Sequence, residues 1–157
     1  MTAELYEKPA FAIIGKLGAT TDGPGFIQAL WQQANENFEE IAPLVKLDPQ
    51  GTPAGFWGAM SDLSGSFAPW EEDFTRGLYL AGAEVRDDVQ APEGWTKWNL
   101  PGFVYMKISG PEPDLFRQGL EYLRAHNLSL IGAVHDFTDP KDGSNYQMFP
   151  IRRLEAL

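Results

Sequence analysis

The hydrophobic positions in the first half of the chain predict a strand, a helix and two further strands. An apolar run opens at Phe11, and a turn rich in glycine leads from it into a helix. From Phe26 to about Val45 the apolar side chains recur every three or four residues, which predicts one apolar stripe on a helix. The predicted elements are a strand at 11–18, a helix at 26–45, and strands at 54–60 and 77–85.

The second half of the chain repeats that order of elements. It predicts a strand at 103–109, a helix that starts after 111–114 and ends near Ala125, and strands at 129–137 and 145–151. Two β-α-β-β units favour an α+β fold, with one mostly antiparallel sheet and both helices on one face. The other face is left uncovered, and we expect a groove to form there.

Three short sequence matches indicate that the two halves are a duplication. They pair 26–30 with 116–120, 57–62 with 131–136, and 11–16 with 103–108, in the same order in both halves. A length of 157 residues suits one domain. We therefore expect a single domain over 1–157, with repeats at about 8–86 and 98–155.

Composition excludes several classes of protein. The chain has no cysteine, which rules out disulfide scaffolds and thiolate zinc sites. It has no apolar stretch long enough for a membrane span and no N-terminal leader pattern, so we expect a cytoplasmic protein with no membrane partner. A net charge of -10 repels phosphate backbones and attracts cations, so we expect no direct binding to nucleic acid.

Half of the 20 aromatic residues, including four of the five tryptophans, fall within residues 56–105. Two segments of that stretch, 63–76 and 87–102, do not show the pattern of a helix or strand. Aromatic side chains on loops favour a binding surface for a planar, apolar or cationic ligand. The alternative is that they form a second small core.

Acidic residues are interleaved with these aromatic side chains. Asp62 and Glu84 each end a predicted strand beside them, whereas the run at 71–73 is typical of a solvated face. A buried acid in such a place has a raised pKa and can act as a general acid or base.

Sequence motifs of known catalytic sites are absent, and the two histidines are too few to form a metal site. His126 is expected at a helix end, where it complements the helix dipole. His135 and Asp136 are neighbours on a predicted strand and must point to opposite faces, so one of them at most lines a groove. We expect no cofactor and no metal.

The sequence resembles the GyrI-like small-molecule-binding domains, which also occur behind the DNA-binding heads of AraC-type and MerR-type multidrug regulators. The resemblance covers nearly the whole chain and is to the stand-alone form of these domains. It is carried by the segments 11–16, 58–62, 77–84, 92–98 and 148–151, and in particular by Pro-Glu-Gly-Trp-Thr-Lys-Trp at 92–98 together with the closing Phe-Pro-Ile at 149–151.

The resemblance implies a duplicated β-α-β-β fold with a ligand groove on its pseudo-twofold axis, aromatic walls and a carboxylate for cationic ligands. It implies that Trp57, Tyr79, Glu84, Trp98 and Phe149 line the pocket. Relatives often carry acids where this chain has 134–136 and 145–148, so either Asp136 takes over as the acid or the charge comes from elsewhere in the chain.

Three functions are consistent with this pattern. Binding of a lipophilic, aromatic or cationic small molecule ranks first. Hydrolysis of the reactive cyclopropane rings of DNA-alkylating natural products, known in part of the stand-alone branch, ranks second, and a protein-interaction module third. The oligomeric state stays open. The candidate residues are Glu84 and Asp136 for catalysis, and Trp57, Trp70, Tyr79, Trp95, Trp98, Tyr105, His135, Tyr146 and Phe149 for ligand binding.

Overall fold

Eight antiparallel strands form one sheet, in the order β1-β6-β8-β7-β3-β4-β2-β5, and the two longer helices pack on one face of it. A computed structural model describes residues 1–154, so the last three residues of the expected domain lie outside the described residues. The α+β fold class is confirmed. The elements are β1 (Thr2–Lys8), β2 (Phe11–Ala19), α1 (Phe26–Glu36), β3 (Phe56–Ser61), the single turn α2 (Glu71–Phe74), β4 (Leu78–Val85), β5 (Thr96–Leu100), β6 (Phe103–Ser109), α3 (Leu115–Ala125), β7 (His135–Thr138) and β8 (Asn145–Arg153).

Strands β1 and β5, which the sequence pattern did not predict, are exchanged between the two halves. Lys8 in β1 pairs with Phe103 in β6, and Phe11 in β2 pairs with Leu100 in β5. Strand β1 therefore pairs with the second half but continues, through two residues, into β2 of the first half. Strand β5 pairs with the first half but continues, through two residues, into β6 of the second half. The connections are Pro9-Ala10 and Pro101-Gly102, and a Cβ at Gly102 would lie 3.1 Å from the Ala10 nitrogen. The two crossing connections thus contact each other.

The short connection between β1 and β2 requires a strongly curved sheet. Strand β1 forms one edge and β2 lies next to the other, yet three residue steps span at most about 11 Å. The helix-free face consequently curls onto itself and buries an aromatic and aliphatic core. The expectation of an open groove on this face is wrong, because its side chains pack against one another. They include Ile13, Trp57, Leu80, Leu100, Tyr105, Phe137 and Met148.

Helix α1 is shorter than its apolar stripe predicts, whereas α3 has the bounds that the sequence predicts. Helix α1 ends at Glu36 rather than near 45, and the chain continues as two 3-10 turns at 38–40 and 42–44. Pro43 lacks an N–H and restricts the residue before it, which prevents a regular helix here. The strand expected at 129–137 begins only at His135.

Helices α1 and α3 bury their apolar sides against the same face of the sheet. Leu30 of α1 packs with Tyr79 and Ala81 of β4, and Leu123 of α3 packs with Ile108 and Phe149. Within residues 1–154 no helix is long and apolar enough to cross a membrane.

Candidate functional site

A groove runs between α1 and α3, over the central pair of strands β3 and β7. It consists of three adjoining cavities, with volumes of about 190 Å³ at one end, 350 Å³ in the middle and 550 Å³ at the other end. Gln147 lines both the first and the middle cavity, and Trp31 and Thr138 line both the middle and the third. The cavities therefore form one elongated groove at the junction of the two halves.

The floor of the middle cavity holds a hydrogen-bonded carboxylate. The Tyr79 hydroxyl donates to Oδ2 of Asp136 at 2.9 Å, and Nε2 of Gln147 donates to Oδ1 at 3.4 Å. Nε1 of Trp31 on α1 donates in turn to the Tyr79 oxygen at 3.0 Å. Helix α1 and strand β4 of the first half are thereby tied to strands β7 and β8 of the second half.

Gly58 makes the contact between Tyr79 and Asp136 possible. It is the direct register partner of Asp136, and Tyr79 lies on the next strand beyond it. A Cβ at Gly58 would overlap the Tyr79 hydroxyl, so the phenol occupies the space of the missing side chain. Tyr79 therefore crosses a whole strand to reach the carboxylate.

Burial sets the protonation equilibria of this pair. Desolvation raises the pKa of Asp136 above its ordinary value, although the hydrogen bonds from Tyr79 and Gln147 oppose the shift. Burial and then the negative charge of Asp136 raise the pKa of Tyr79, which keeps the phenol protonated as a donor. Among the residues of the described chain that line the three cavities, Asp136 is the one ionisable at neutral pH, and no lysine, arginine or histidine accompanies it.

Aromatic and aliphatic side chains form the two ends of the groove. At the smaller end, the rings of Phe74 and Phe116 meet edge to face at 5.1 Å, and Trp70 is fixed by a hydrogen bond from Nε1 to the Leu78 carbonyl at 3.0 Å. At the larger end, Phe38 and Phe56 meet edge to face at 6.0 Å. The single carboxylate thus lies between two apolar compartments.

The candidate residues from the sequence divide between this groove and other parts of the fold. Trp70, Tyr79 and Asp136 line the groove, and Phe149 stacks beneath Phe116 at 5.9 Å. Tyr146 borders the middle cavity, but its ring lies on the other face of the sheet and stacks on Phe137 at 6.1 Å. On the opposite, curled face lie Trp57, Glu84, Trp98, Tyr105 and His135. Trp95 packs beside the turns after α1, where its Nε1 donates to Glu40 at 2.8 Å and the Lys16 ammonium covers its ring.

Glu84 is buried in an ion pair rather than exposed to the groove. Its Oε1 lies 2.9 Å from the Lys8 ammonium and its Oε2 lies 3.8 Å from that of Lys46, and its side chain is 2% exposed. The Lys8 ammonium also lies 4.4 Å from the centre of the Phe11 ring. These contacts give Glu84 a structural role at the connection between β1 and β2.

His135 is neutral and points away from Asp136, as strand alternation requires. Its Nδ1 accepts a hydrogen bond from the Met60 backbone N–H at 2.9 Å, and its ring lies between Trp57 and Tyr105, with centroid distances of 6.3 and 6.2 Å. Burial lowers the pKa of His135 to about 3. The ring therefore stays uncharged at neutral pH.

Asp62 organises the loop that follows β3. Desolvation alone would raise its pKa, but hydrogen bonds from Ser64, Ser66 and Ser61 outweigh that effect and hold the pKa below its ordinary value. Its Oδ1 also accepts from the Ala68 backbone N–H at 3.3 Å. Asp62 is thus a structural anchor of the segment that leads to Trp70. Within residues 1–154 no three acidic or histidine side chains converge in a way that suits a metal ion.

Sequence reasoning missed the groove residues contributed by the helices. Ile27 and Trp31 lie four residues apart on α1, beside the stripe of core positions, and Phe116 lies in the first turn of α3. Large apolar side chains flanking a complete core stripe indicate a second contact face on a helix. This signal was present in the sequence, whereas Met60 and Gln147 carry no such local signal.

Comparisons with known proteins show structural likeness at low sequence identity. No family model matches the sequence, and no curated protein sequence is similar to it. The structure of SAV2435 bound to tetraphenylphosphonium has a TM-score of 0.61 and 14% identity, over 98% of this chain and 94% of that one. The EcmrR C-terminal domain has a TM-score of 0.64 and 14% identity, over 98% of each chain.

Two further solved structures extend this set. An integron cassette protein from the mobile metagenome of Vibrio cholerae has a TM-score of 0.56 and 19% identity, over 96% of this chain and 95% of that one. EcmrR in its complex with DNA matches with a TM-score of 0.62 and 13% identity, but this chain spans only 58% of its length. Together with the curved eight-stranded sheet and its two helices, these similarities show that the chain has the GyrI-like fold which its sequence resembles.

Proposed function

We propose that this protein binds a lipophilic cationic small molecule in the groove between α1 and α3. The observation that carries the proposal is the position of Asp136, a carboxylate that has no basic partner within residues 1–154 and lies at the middle of an otherwise uncharged groove. An ionised carboxylate in such surroundings is poorly solvated. A bound cation supplies the missing counter-charge.

The walls of the groove suit the same class of ligand. The indole of Trp31 lines the middle cavity, and its Nε1 is tied through the Tyr79 hydroxyl to Asp136; aromatic faces attract cations. The net charge of -10 adds a long-range attraction for positive ligands. Tetraphenylphosphonium, to which SAV2435 is bound in its structure, is itself a lipophilic cation, which supports the proposal by analogy.

The first experiment compares two ligands of the same shape and opposite charge. We expect isothermal titration calorimetry to show binding of tetraphenylphosphonium and none of tetraphenylborate. Trp31→Phe should reduce the accompanying change in tryptophan fluorescence, because Trp31 lines the groove. Equal binding of both ions, or binding of neither, would contradict the proposal. A complex between protein molecules that ignores both ions would instead favour a protein-interaction module.

The Asp136–Tyr79 pair favours hydrolysis as a second candidate function. A carboxyl group with a raised pKa, hydrogen-bonded to a protonated phenol, can donate a proton to one end of an opening cyclopropane bond. Water then adds its oxygen to the ring carbon at the other end and releases a proton. The product carries one added water.

Mass analysis of an activated cyclopropane compound tests this second candidate. A gain of one water that depends on the protein would support it, and recovery of the intact compound would leave binding alone. Two isosteric variants distinguish the role of Asp136 from that of Glu84, the other acid proposed from the sequence. Asp136→Asn should abolish turnover, whereas Glu84→Gln should retain it if the groove is the site.

A further inference from the structure

The side chain of Gln147 leaves one buried acceptor without a partner in the groove. Its Nε2 donates to Asp136, and its Oε1 is buried with no hydrogen-bond partner among residues 1–154. The opposite orientation of the amide would place Oε1 against the Asp136 carboxylate, which repels it. The network therefore fixes the amide with its oxygen free to accept a hydrogen bond.

A buried carbonyl oxygen without a donor is unfavourable, so an occupant that supplies an N–H gains affinity there. The neighbouring acceptor is the Asp136 carboxylate, whose Oδ1 is bound only at 3.4 Å, by the same Gln147 side chain. Two adjacent acceptors, one of them charged, match a cation that carries two N–H groups. A quaternary ammonium or phosphonium ion satisfies the charge but donates nothing.

The position of these acceptors along the groove restricts the ligand further. Asp136 lines the middle cavity, and apolar compartments adjoin it on both sides. A ligand with its charge at one end would leave one compartment unfilled or would carry its charge into an apolar one. A central charge between two arms fills both.

We propose that the groove selects an elongated secondary ammonium ion, with its nitrogen between two apolar arms and its two N–H groups donated to Asp136 and Gln147. This inference rests on the proposed function, because it assigns the ligand class of the same groove. We expect the two apolar compartments to accommodate the arms of the ligand, and Asp136 to neutralise its charge.

Calorimetry with three small organic cations tests the inference. Dibenzylammonium has the proposed arrangement, dibenzyldimethylammonium has the same arms without an N–H, and 4-benzylbenzylammonium is an isomer with its charge at one end. We expect dibenzylammonium to bind about tenfold more tightly than either, as a hydrogen bond to a charged group would give. Comparable affinity of the three cations would overturn the inference.

A variant locates the preference at Gln147. Gln147→Met keeps the length of the side chain and removes one of the two acceptors, so the preference over the quaternary ion should fall about threefold, while the N–H donated to Asp136 retains the remainder. Gln33→Met, an exposed change on α1, is the matched control and should keep the full preference. An unchanged preference in Gln147→Met would overturn the assignment of Gln147. If Gln147→Met does not fold, the ranking on the wild-type protein still decides the inference.

Tetraphenylphosphonium separates this inference from the proposed function. Binding of tetraphenylphosphonium together with equal or weaker binding of dibenzylammonium would overturn only the ligand class. Absence of binding by all four cations would overturn both proposals.

Discussion

The Tyr79 hydroxyl lies 2.9 Å from Asp136 across the width of an intervening strand. That strand contributes Gly58 at the crossing point, where any side chain would collide with the phenol. The hydrogen bond connects β4 of the first half with β7 of the second. The polar centre of the groove therefore depends on the contact between the halves.

Substitution of Gly58 by alanine tests this dependence. The new Cβ must displace Tyr79, which is 1% exposed and has little space to move, so we expect Gly58→Ala to cost about 1–3 kcal/mol of unfolding free energy. Chemical denaturation measures this cost. In the Tyr79→Phe background the hydroxyl is gone and the same substitution should cost less. An equal cost in both backgrounds would show that the collision does not involve the hydroxyl.

Substitution of Glu84 by glutamine separates a structural acid from a functional one. Removing one partner of a buried ion pair leaves Lys8 without its counter-charge, so we expect Glu84→Gln to lose about 3 kcal/mol of stability. The folded variant should still bind tetraphenylphosphonium, because Glu84 does not line the groove. The double variant Lys8→Met/Glu84→Gln should recover part of the stability. A stable Glu84→Gln protein that fails to bind would place Glu84 in the binding site.

Much of the fold was predictable from the sequence because periodicity reports local burial. The strands at 11–18, 77–85 and 103–109 were predicted close to their observed bounds. Strands β1 and β5 were not, because they are held by pairing with the opposite half rather than by a local apolar pattern. Such long-range pairing leaves no local signal.

The candidate site was only partly predictable, for a related reason. Tyr79 and Glu84 are an odd number of residues apart on one strand, so alternation already places them on opposite faces. Nearly every residue of β4 is buried, however, so the pattern does not indicate which face carries the groove. That choice follows from the curvature of the sheet, which depends on the exchange of β1 and β5.

The buried His135 predicts a loss of stability in acid. Burial lowers its pKa to about 3, below the value near 6.5 that it has when unfolded. Its contribution is therefore fully present above pH 6.5 and is lost as the pH falls towards 3, by up to about 1.4 kcal/mol per pH unit. Denaturation of the wild-type protein and His135→Asn across pH 4–7 measures the difference.

Asparagine at 135 retains an acceptor for the Met60 N–H and does not titrate, which makes it a suitable reference for this comparison. The exposed His126 supplies the matched control, and His126→Asn should keep the pH dependence of the wild-type protein. Parallel curves for the wild-type protein and His135→Asn would mean that His135 becomes protonated while folded.

The raised pKa of Asp136 predicts opposite effects of pH on ligand affinity and on stability. Above the raised pKa the carboxylate is charged, so tetraphenylphosphonium binds; as the pH falls through that pKa, affinity should fall by up to about tenfold per pH unit. The folding stability of the ligand-free protein changes with pH in the opposite direction. A raised carboxyl pKa stabilises the folded state below the unfolded value near 3.9, and this contribution is lost as the pH rises through the folded value.

The comparison of Asp136→Asn with Asp88→Asn measures both effects at a constant change in net charge. Asp88 is exposed, so Asp88→Asn should keep the wild-type pH profiles. Asp136→Asn should abolish the pH dependence of cation binding, and its stability relative to the wild-type protein should increase as the pH rises. If cation affinity stays pH-dependent in Asp136→Asn, another acid supplies the counter-charge. If Asp136→Asn loses only stability at neutral pH, the carboxylate serves the fold rather than the groove.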